Sequence, residues 1–187
     1  MKNFFNKNKT KRSVNAKKKK LFVPDSMYSD IYEISAELLT KLGKKGVIFD
    51  IDNTVAPYEI LRPTKKMMDY FASLEEAGIS VAFVSNNKND RASVFNEDLG
   101  YFCVPDAAKP LPKGIKRCVR HLGLPEKEML LIGDQIFTDC LAAHLAGLDF
   151  YMVKPIKDTN TPLFKLKRFF EKPFINKYRK NKLGVKS

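Results

Sequence analysis

Cysteine and histidine are scarce in this chain, and those present are badly placed for chemistry. The three cysteines, Cys103, Cys118 and Cys140, are widely spaced and form no CxxC pair. That argues against a zinc site or a disulfide framework and fits a reducing, intracellular compartment. Neither His121 nor His144 stands in an HExxH or other metal-ligand spacing. Single histidines on apolar stretches are more often packing residues than ligands. Long apolar runs are missing as well: none approaches the roughly 20 residues that a membrane span needs. Leu21-Phe22-Val23-Pro24, behind a basic start, is far too short for the apolar region of a signal peptide. The expectation is a cytoplasmic protein with no transmembrane segment, one that can still sit peripherally on the inner face of a membrane.

Acidic residues are absent from the first 20 positions, which hold nine Lys/Arg. Residues 154–187 hold eleven Lys/Arg against only Asp158 and Glu171. The formal charge of +13 therefore belongs to the two ends. Between them, residues 21–153 carry 14 basic against 19 acidic side chains and are mildly acidic. Solvated tails are the plain reading of such ends. The functional reading is attraction to a polyanion, either an anionic membrane or RNA. Near a surface rich in anionic lipid, each Lys or Arg contributes roughly 1 kcal/mol.

The C-terminal end has more pattern than a charge run. Thr161-Pro162 reads as an N-cap with proline at the first helical position. Along a helix, Leu163, Leu166, Phe169 and Phe170 share one side, Lys165, Arg168 and Lys172 the other, and Pro173 ends the pattern. A basic amphipathic segment of this kind can lie on a membrane interface or pack its apolar side on the domain.

With 187 residues, 44% of them apolar, the chain can build one compact domain with appendages. After a basic arm (1–20), expected to be disordered, residues 21–45 read as a lead-in with a short helix around Ala36–Leu42. A regular alternation fills 46–153. Strands are expected at Gly46–Phe49, Ile79–Val84, Tyr101–Val104, Met129–Ile132 and Phe150–Val153. Helices are expected over 63–77, 89–98, 112–122 and 137–146. This pattern predicts an α/β fold: a five-stranded parallel sheet with helices on both faces. In such sheets ligands bind beyond the carboxyl ends of the strands.

The polar residues at those ends form a set. Strand one runs into Asp50-Ile51-Asp52-Asn53-Thr54, and strand two into Ser85-Asn86-Asn87. Lys109 follows strand three, and Gly133-Asp134 closes strand four, with Asp139 five positions later. Asp50 to Asn53 alone could be a turn. A calcium loop is excluded, because Thr54 and Val55 stand where Asp/Asn and a glycine would be. Together the residues supply what phosphoryl transfer needs: an oxygen nucleophile, a hard cation, positive charge on the phosphoryl oxygens and a proton donor. Asp50 can be the nucleophile. Asp52, two positions on along an extended chain, can protonate the leaving oxygen and later activate water. Asp50 and Asp134 can hold Mg²⁺, with Asp139 behind a metal-bound water. Ser85 and Lys109 can meet the phosphoryl oxygens. Thr54, Asn86 and Asn87 are further candidates for binding substrate. The segments 55–62 and 86–91 are candidates for contacting its remainder, and in the latter Asn87, Lys88 and Arg91 can meet a second phosphate or a glycerol.

This ordered set resembles the four motifs of the haloacid dehalogenase (HAD) superfamily over residues 46–153. The resemblance implies a Rossmann-like fold, Mg²⁺ and a phosphoaspartyl route, with Asp52 as the mark of a phosphatase and its main-chain carbonyl as a further metal ligand. About 35 positions separate Asp50 from Ser85, and 24 separate Ser85 from Lys109. That leaves no room for a cap domain and resembles the capless IIIA-type subfamily, whose open site suits bulky substrates. Phe22-Val23-Pro24-Asp25, Ser29-Asp30-Ile31-Tyr32, the Asp50–Thr54 motif and Gly133-Asp134-Gln135 with Thr138-Asp139 are similar to the YqeG-like group. That group is itself similar to mitochondrial and plastid phosphatidylglycerophosphate phosphatases. The implied reaction is removal of the phosphomonoester from that lipid phosphate to leave phosphatidylglycerol. Two other expectations stand beside it: a phosphatase of soluble sugar phosphates or nucleotides, and an RNA- or ribosome-associated protein using its basic ends.

Overall fold

Gly46-Val47-Ile48-Phe49-Asp50 is apolar up to its last residue, as a strand covered on both faces must be, and it becomes the centre of the sheet. The computed structural model describes residues 21–88, 90–157 and 162–182. The expected disordered arm and the Thr161 cap lie outside the described residues. In chain order the elements are β1 (Ser26–Tyr28), α1 (Ala36–Lys41), β2 (Gly46–Asp50), α2 (Lys65–Glu76), β3 (Ser80–Val84), α3 (Arg91–Glu97) and β4 (Phe102–Val104). Then come α4 (Lys113–Leu122), β5 (Met129–Gly133), a π-helical turn (Ile136–Cys140), α5 (Leu141–Leu145), β6 (Asp149–Val153) and α6 (Pro162–Lys182).

The sheet order is β1-β6-β5-β2-β3-β4, with every pairing parallel. Successive β2 side chains serve opposite faces. Val47 and Phe49 join a core with α2, α3 and the lead-in, while Ile48 joins a second core with α4 and α5. Helices thus cover both faces, as expected. The segment between β2 and β3 holds only α2 as a helix, and that between β3 and β4 only α3. Among the described residues there is no inserted cap.

Three expectations need correction. The sheet has six strands rather than five. The extra one, β1, is too short to show a period. It is held at the edge by Asp25, whose amide donates to the Phe150 carbonyl while its carboxylate accepts from the Phe150 amide. The helix expected over 137–146 begins as a π turn, in which the amides of Asp139 and Cys140 both donate to the Gln135 carbonyl. Finally, Pro173 does not end the last helix but lies inside it. Proline costs an internal hydrogen bond. Here Phe174 packs its ring 5.4 Å from that of Phe22, tilted, and 5.8 Å from that of Phe137, edge to face, and that packing carries the helix on to Lys182.

The α6 surfaces also differ from the reading in which its apolar side packs on the domain. Of the apolar row, Leu166, Phe169 and Phe170 are exposed, Phe169 by 62%. The domain is met instead by Arg168, Glu171, Phe174 and Ile175. No described helix is long and apolar enough to cross a membrane.

Candidate active site

β2 lies between β3 and β5, so the chain leaves it in opposite directions along the sheet. A crevice opens beyond the carboxyl ends of strands at such a switch point. Asp50 is the last residue of β2. Asn53 follows with φ 63°, a left-handed conformation that asparagine tolerates. The chain then doubles back, with the amides of Thr54, Val55 and Ala56 all aimed at the Ile51 carbonyl. This tight loop returns the Thr54 hydroxyl to Asp50, where it donates to Oδ2 at 3.0 Å.

Lys109 approaches Asp50 from the loop after β4. Ala108 before it has φ 56°, a costly conformation for a residue with a Cβ. The Asn86 side chain holds Lys109 by its backbone, accepting from its amide (2.7 Å) and donating to its carbonyl (2.8 Å). The Lys109 Nζ lies 2.5 Å from Asp50 Oδ1 and 2.7 Å from Asp139 Oδ1. Asp139 is turned back towards β5 by the π turn, and its Oδ2 accepts from the Gln135 amide at 3.0 Å. Gly133 is needed for this approach, because a Cβ there would stand 2.6 Å from the Asp139 Cβ.

Asp134 is fully buried. Arg168 donates to its carbonyl and to Oδ2, both at 2.8 Å. Its Oδ1 has no hydrogen-bond partner among the described residues. One carboxylate oxygen from each of Asp50, Asp134 and Asp139 lies within 4.8 Å of the others. Burial pushes the Asp50 carboxyl up to about 7, with Lys109 opposing and the charge of Asp139 assisting. Burial, then Asp139 and Asp50, raise Asp134 well above the usual carboxylate range. Burial pulls the Lys109 ammonium down, but Asp139 and Asp50 more than offset this and its pKa rises. A buried carboxylate cluster with one unpartnered oxygen fits a hard divalent cation, which takes oxygen ligands and cancels the mutual repulsion.

Asp52 is held separately. Ser85 donates its hydroxyl to Oδ2 at 2.8 Å, and Arg91 pairs with Oδ1 at 2.5 Å. Arg91 is buried and also donates to the carbonyls of Pro57, Tyr58 and Ile60. It ties the 57–60 loop to Asp52 and so is not a contact for a second phosphate, as its place in the sequence suggested. Ser85 and Thr54 are buried behind Asp52 and Asp50. A cavity of about 350 Å³ is lined by Asp50, Asp52, Tyr58, Asn86, Asn87, Lys109, Gln135, Thr138 and Asp139. Of the remaining sequence candidates, Lys88 is exposed and is not among these lining residues.

Of the 55–62 segment that the sequence offered, Tyr58 lines the cavity; sequence reasoning missed the grip of Arg91 on Asp52 and the Arg168–Glu171 pair. One signal was available for the last: Glu171 is one of only two acidic residues in a strongly basic end, three positions from Arg168.

Residues 27–147 match a family model described as haloacid dehalogenase-like hydrolase. The probable phosphatase YqeG of Bacillus subtilis (strain 168) is 32% identical over 158 residues, which are 84% of this chain and 92% of that protein. Phosphatidylglycerophosphate phosphatase 1, chloroplastic/mitochondrial, of Arabidopsis thaliana is 26% identical over 165 residues, covering 80% of this chain but 46% of that protein. The chloroplastic phosphatidylglycerophosphate phosphatase 1 of Chlamydomonas reinhardtii is 24% identical over 151 residues, covering 76% of this chain and 56% of that protein. The chain therefore spans about half the length of these last two relatives. The strand-end constellation and these matches agree: the chain belongs to the haloacid dehalogenase-like hydrolases.

Proposed function

We propose that the chain is a Mg²⁺-dependent phosphomonoester hydrolase that works through an aspartyl-phosphate on Asp50, with a lipid phosphate, phosphatidylglycerophosphate, as its substrate. The observation that carries the chemistry is the setting of Asp50. It ends the central strand, faces the cleft, and is oriented by Thr54 on one oxygen and Lys109 on the other. Asp50 attacks phosphorus, the bond to the leaving oxygen breaks, and Asp52 supplies that oxygen with a proton. Asp52 then takes a proton from the water that attacks the phosphoaspartate, and phosphate leaves. Lys109 lies where it can neutralise charge on both Asp50 and the phosphoryl oxygens. Asp50, Asp134 and the Asp52 carbonyl would hold Mg²⁺, with Asp139 supporting them; the ion supplies positive charge to the phosphoryl group. Asn87 and Tyr58 line the cleft where the rest of the substrate would lie.

The lipid assignment rests on the uncapped cleft, on the plant and algal relatives named for this lipid, and on α6. That helix exposes Leu166, Phe169 and Phe170 beside a basic C-terminal end. Such a face suits the interface of an anionic bilayer. Two measurements test the assignment together. Phosphate release from phosphatidylglycerophosphate in mixed micelles should exceed release from sugar phosphates and nucleotides at least tenfold. Vesicles rich in phosphatidylglycerol should retain the protein at low salt and release it as salt screens the charges. Preference for a soluble phosphate would replace the lipid substrate and leave the phosphatase chemistry standing. Strong RNA binding without phosphatase activity would overturn both.

The buried carboxylates also set a pH dependence. The folded pKa of Asp50, about 7, lies above its ordinary value of 3.8. The associated stability is complete below the ordinary value and is lost as pH rises through 7. Without metal, the melting temperature should therefore fall between pH 5 and pH 8. Mg²⁺ needs ionised ligands, so its stabilisation should be larger at pH 8 than at pH 5. Thermal melts with EDTA and with Mg²⁺ check this; a Mg²⁺ effect independent of pH would contradict it.

A further inference from the structure

The inward side of α6 reaches the carboxylate cluster through two charged residues. Arg168 grips Asp134 at two points, with 2.8 Å contacts to the carbonyl and to Oδ2. Glu171, one turn on and 1% exposed, joins the same assembly. Its Oε2 accepts from Arg168 at 2.7 Å, and its Oε1 accepts from the Ile136 amide at 2.8 Å. The segment 134–136 is thus held from both ends by residues more than thirty positions later. The grip takes one carboxylate oxygen of Asp134 and leaves the other, Oδ1, without a hydrogen-bond partner among the described residues, in a residue that shares a carboxylate cluster with Asp50 and Asp139.

A fully buried carboxylate turned by a two-pronged guanidinium has one orientation, and a free oxygen in a carboxylate cluster is a ligand oxygen. We propose that Arg168, braced by Glu171, is a positioning residue that presents Asp134 Oδ1 to the divalent cation, which makes α6 part of the active site as well as an appendage. This rests on the reading of Asp134 as a metal ligand. The opposing effect is plain: the positive charge of Arg168 also repels a cation. Orientation wins if the carboxylate, once released, swings away or stays protonated in its buried setting. Partners of this kind typically contribute roughly 10- to 100-fold in metal affinity.

The test is titration of the intact protein with Mn²⁺, following the free ion by EPR, beside thermal melts in EDTA. Arg168→Met should weaken Mn²⁺ binding at least about tenfold. Arg168→Lys keeps the charge but loses the fork, so it should recover only part of that loss. Glu171→Gln keeps an acceptor for the Ile136 amide and should show a smaller loss in the same direction, which keeps the question open to measurement if Arg168→Met fails to fold. Unchanged or tighter Mn²⁺ binding by a folded Arg168→Met, or by Glu171→Gln, would overturn the positioning role even if the melting temperature drops. Full recovery by Arg168→Lys would overturn the two-pronged grip. Failure of the unaltered protein to bind Mn²⁺ would instead overturn the metal reading itself.

Discussion

Asp50→Asn should reduce turnover by at least about 10⁴-fold, the scale on which removal of a covalent nucleophile acts. The variant should nevertheless fold. Asparagine has the same shape: with its amide oxygen accepting from Lys109, its NH2 can donate to the Thr54 hydroxyl oxygen, and Lys109 also retains Asp139. In the absence of metal it should be more stable than the parent at pH 8, because a buried carboxylate under pressure from its neighbours has been neutralised. The combination matters: an inactive protein that melts higher in EDTA marks a residue kept for chemistry at a cost to the fold. An Asp50→Asn protein that is fully active would exclude Asp50 as the nucleophile.

Asp52→Asn should lower turnover by about 10²- to 10⁴-fold, the usual contribution of a positioned acid–base group. The amide oxygen can still accept from Arg91 while its NH2 donates to the Ser85 hydroxyl oxygen, but the group cannot exchange a proton. The loss should depend on the leaving group. An alkyl phosphate needs protonation as it departs, so its cleavage should suffer most. An aryl phosphate such as p-nitrophenyl phosphate leaves without help, so its first step should survive while attack of water on the phosphoaspartate slows. Equal losses for alkyl and aryl phosphates, measured in steady state and in single turnover, would remove Asp52 from the proton-transfer role.

Much of this site was legible because each strand announces itself. β2, β3 and β5 are largely apolar runs that end in or run straight into a polar residue, Asp50, Ser85 and Asp134, and the ends of parallel strands share one edge of the sheet. Asp50, Lys109 and Asp139 therefore meet in space from three separate segments. What stayed hidden depends on tertiary contact. Three residues of β1 carry no readable period and are fixed by Asp25 and Phe150. Pro173 signals a helix end, and only the packing of Phe174 on Phe22 and Phe137 overrides it. Arg168 looked like one more solvated cation in a basic stretch, and nothing local reveals that its partner is Asp134. Arg91 looked like a hand for a second phosphate, whereas it holds Asp52 and three loop carbonyls.

The phosphoaspartate is the centre of the account, and it can be caught directly. Asp52→Asn mixed with p-nitrophenyl phosphate and Mg²⁺, then quenched in acid within the first turnover, should carry phosphate on one carboxylate. Borohydride reduction should convert that residue to homoserine, and peptide mass analysis should place the change at position 50. The double variant lacking Asp50 should show none. Release of nitrophenol with no phosphoryl group on the protein, or with the group on any residue other than Asp50, would contradict it.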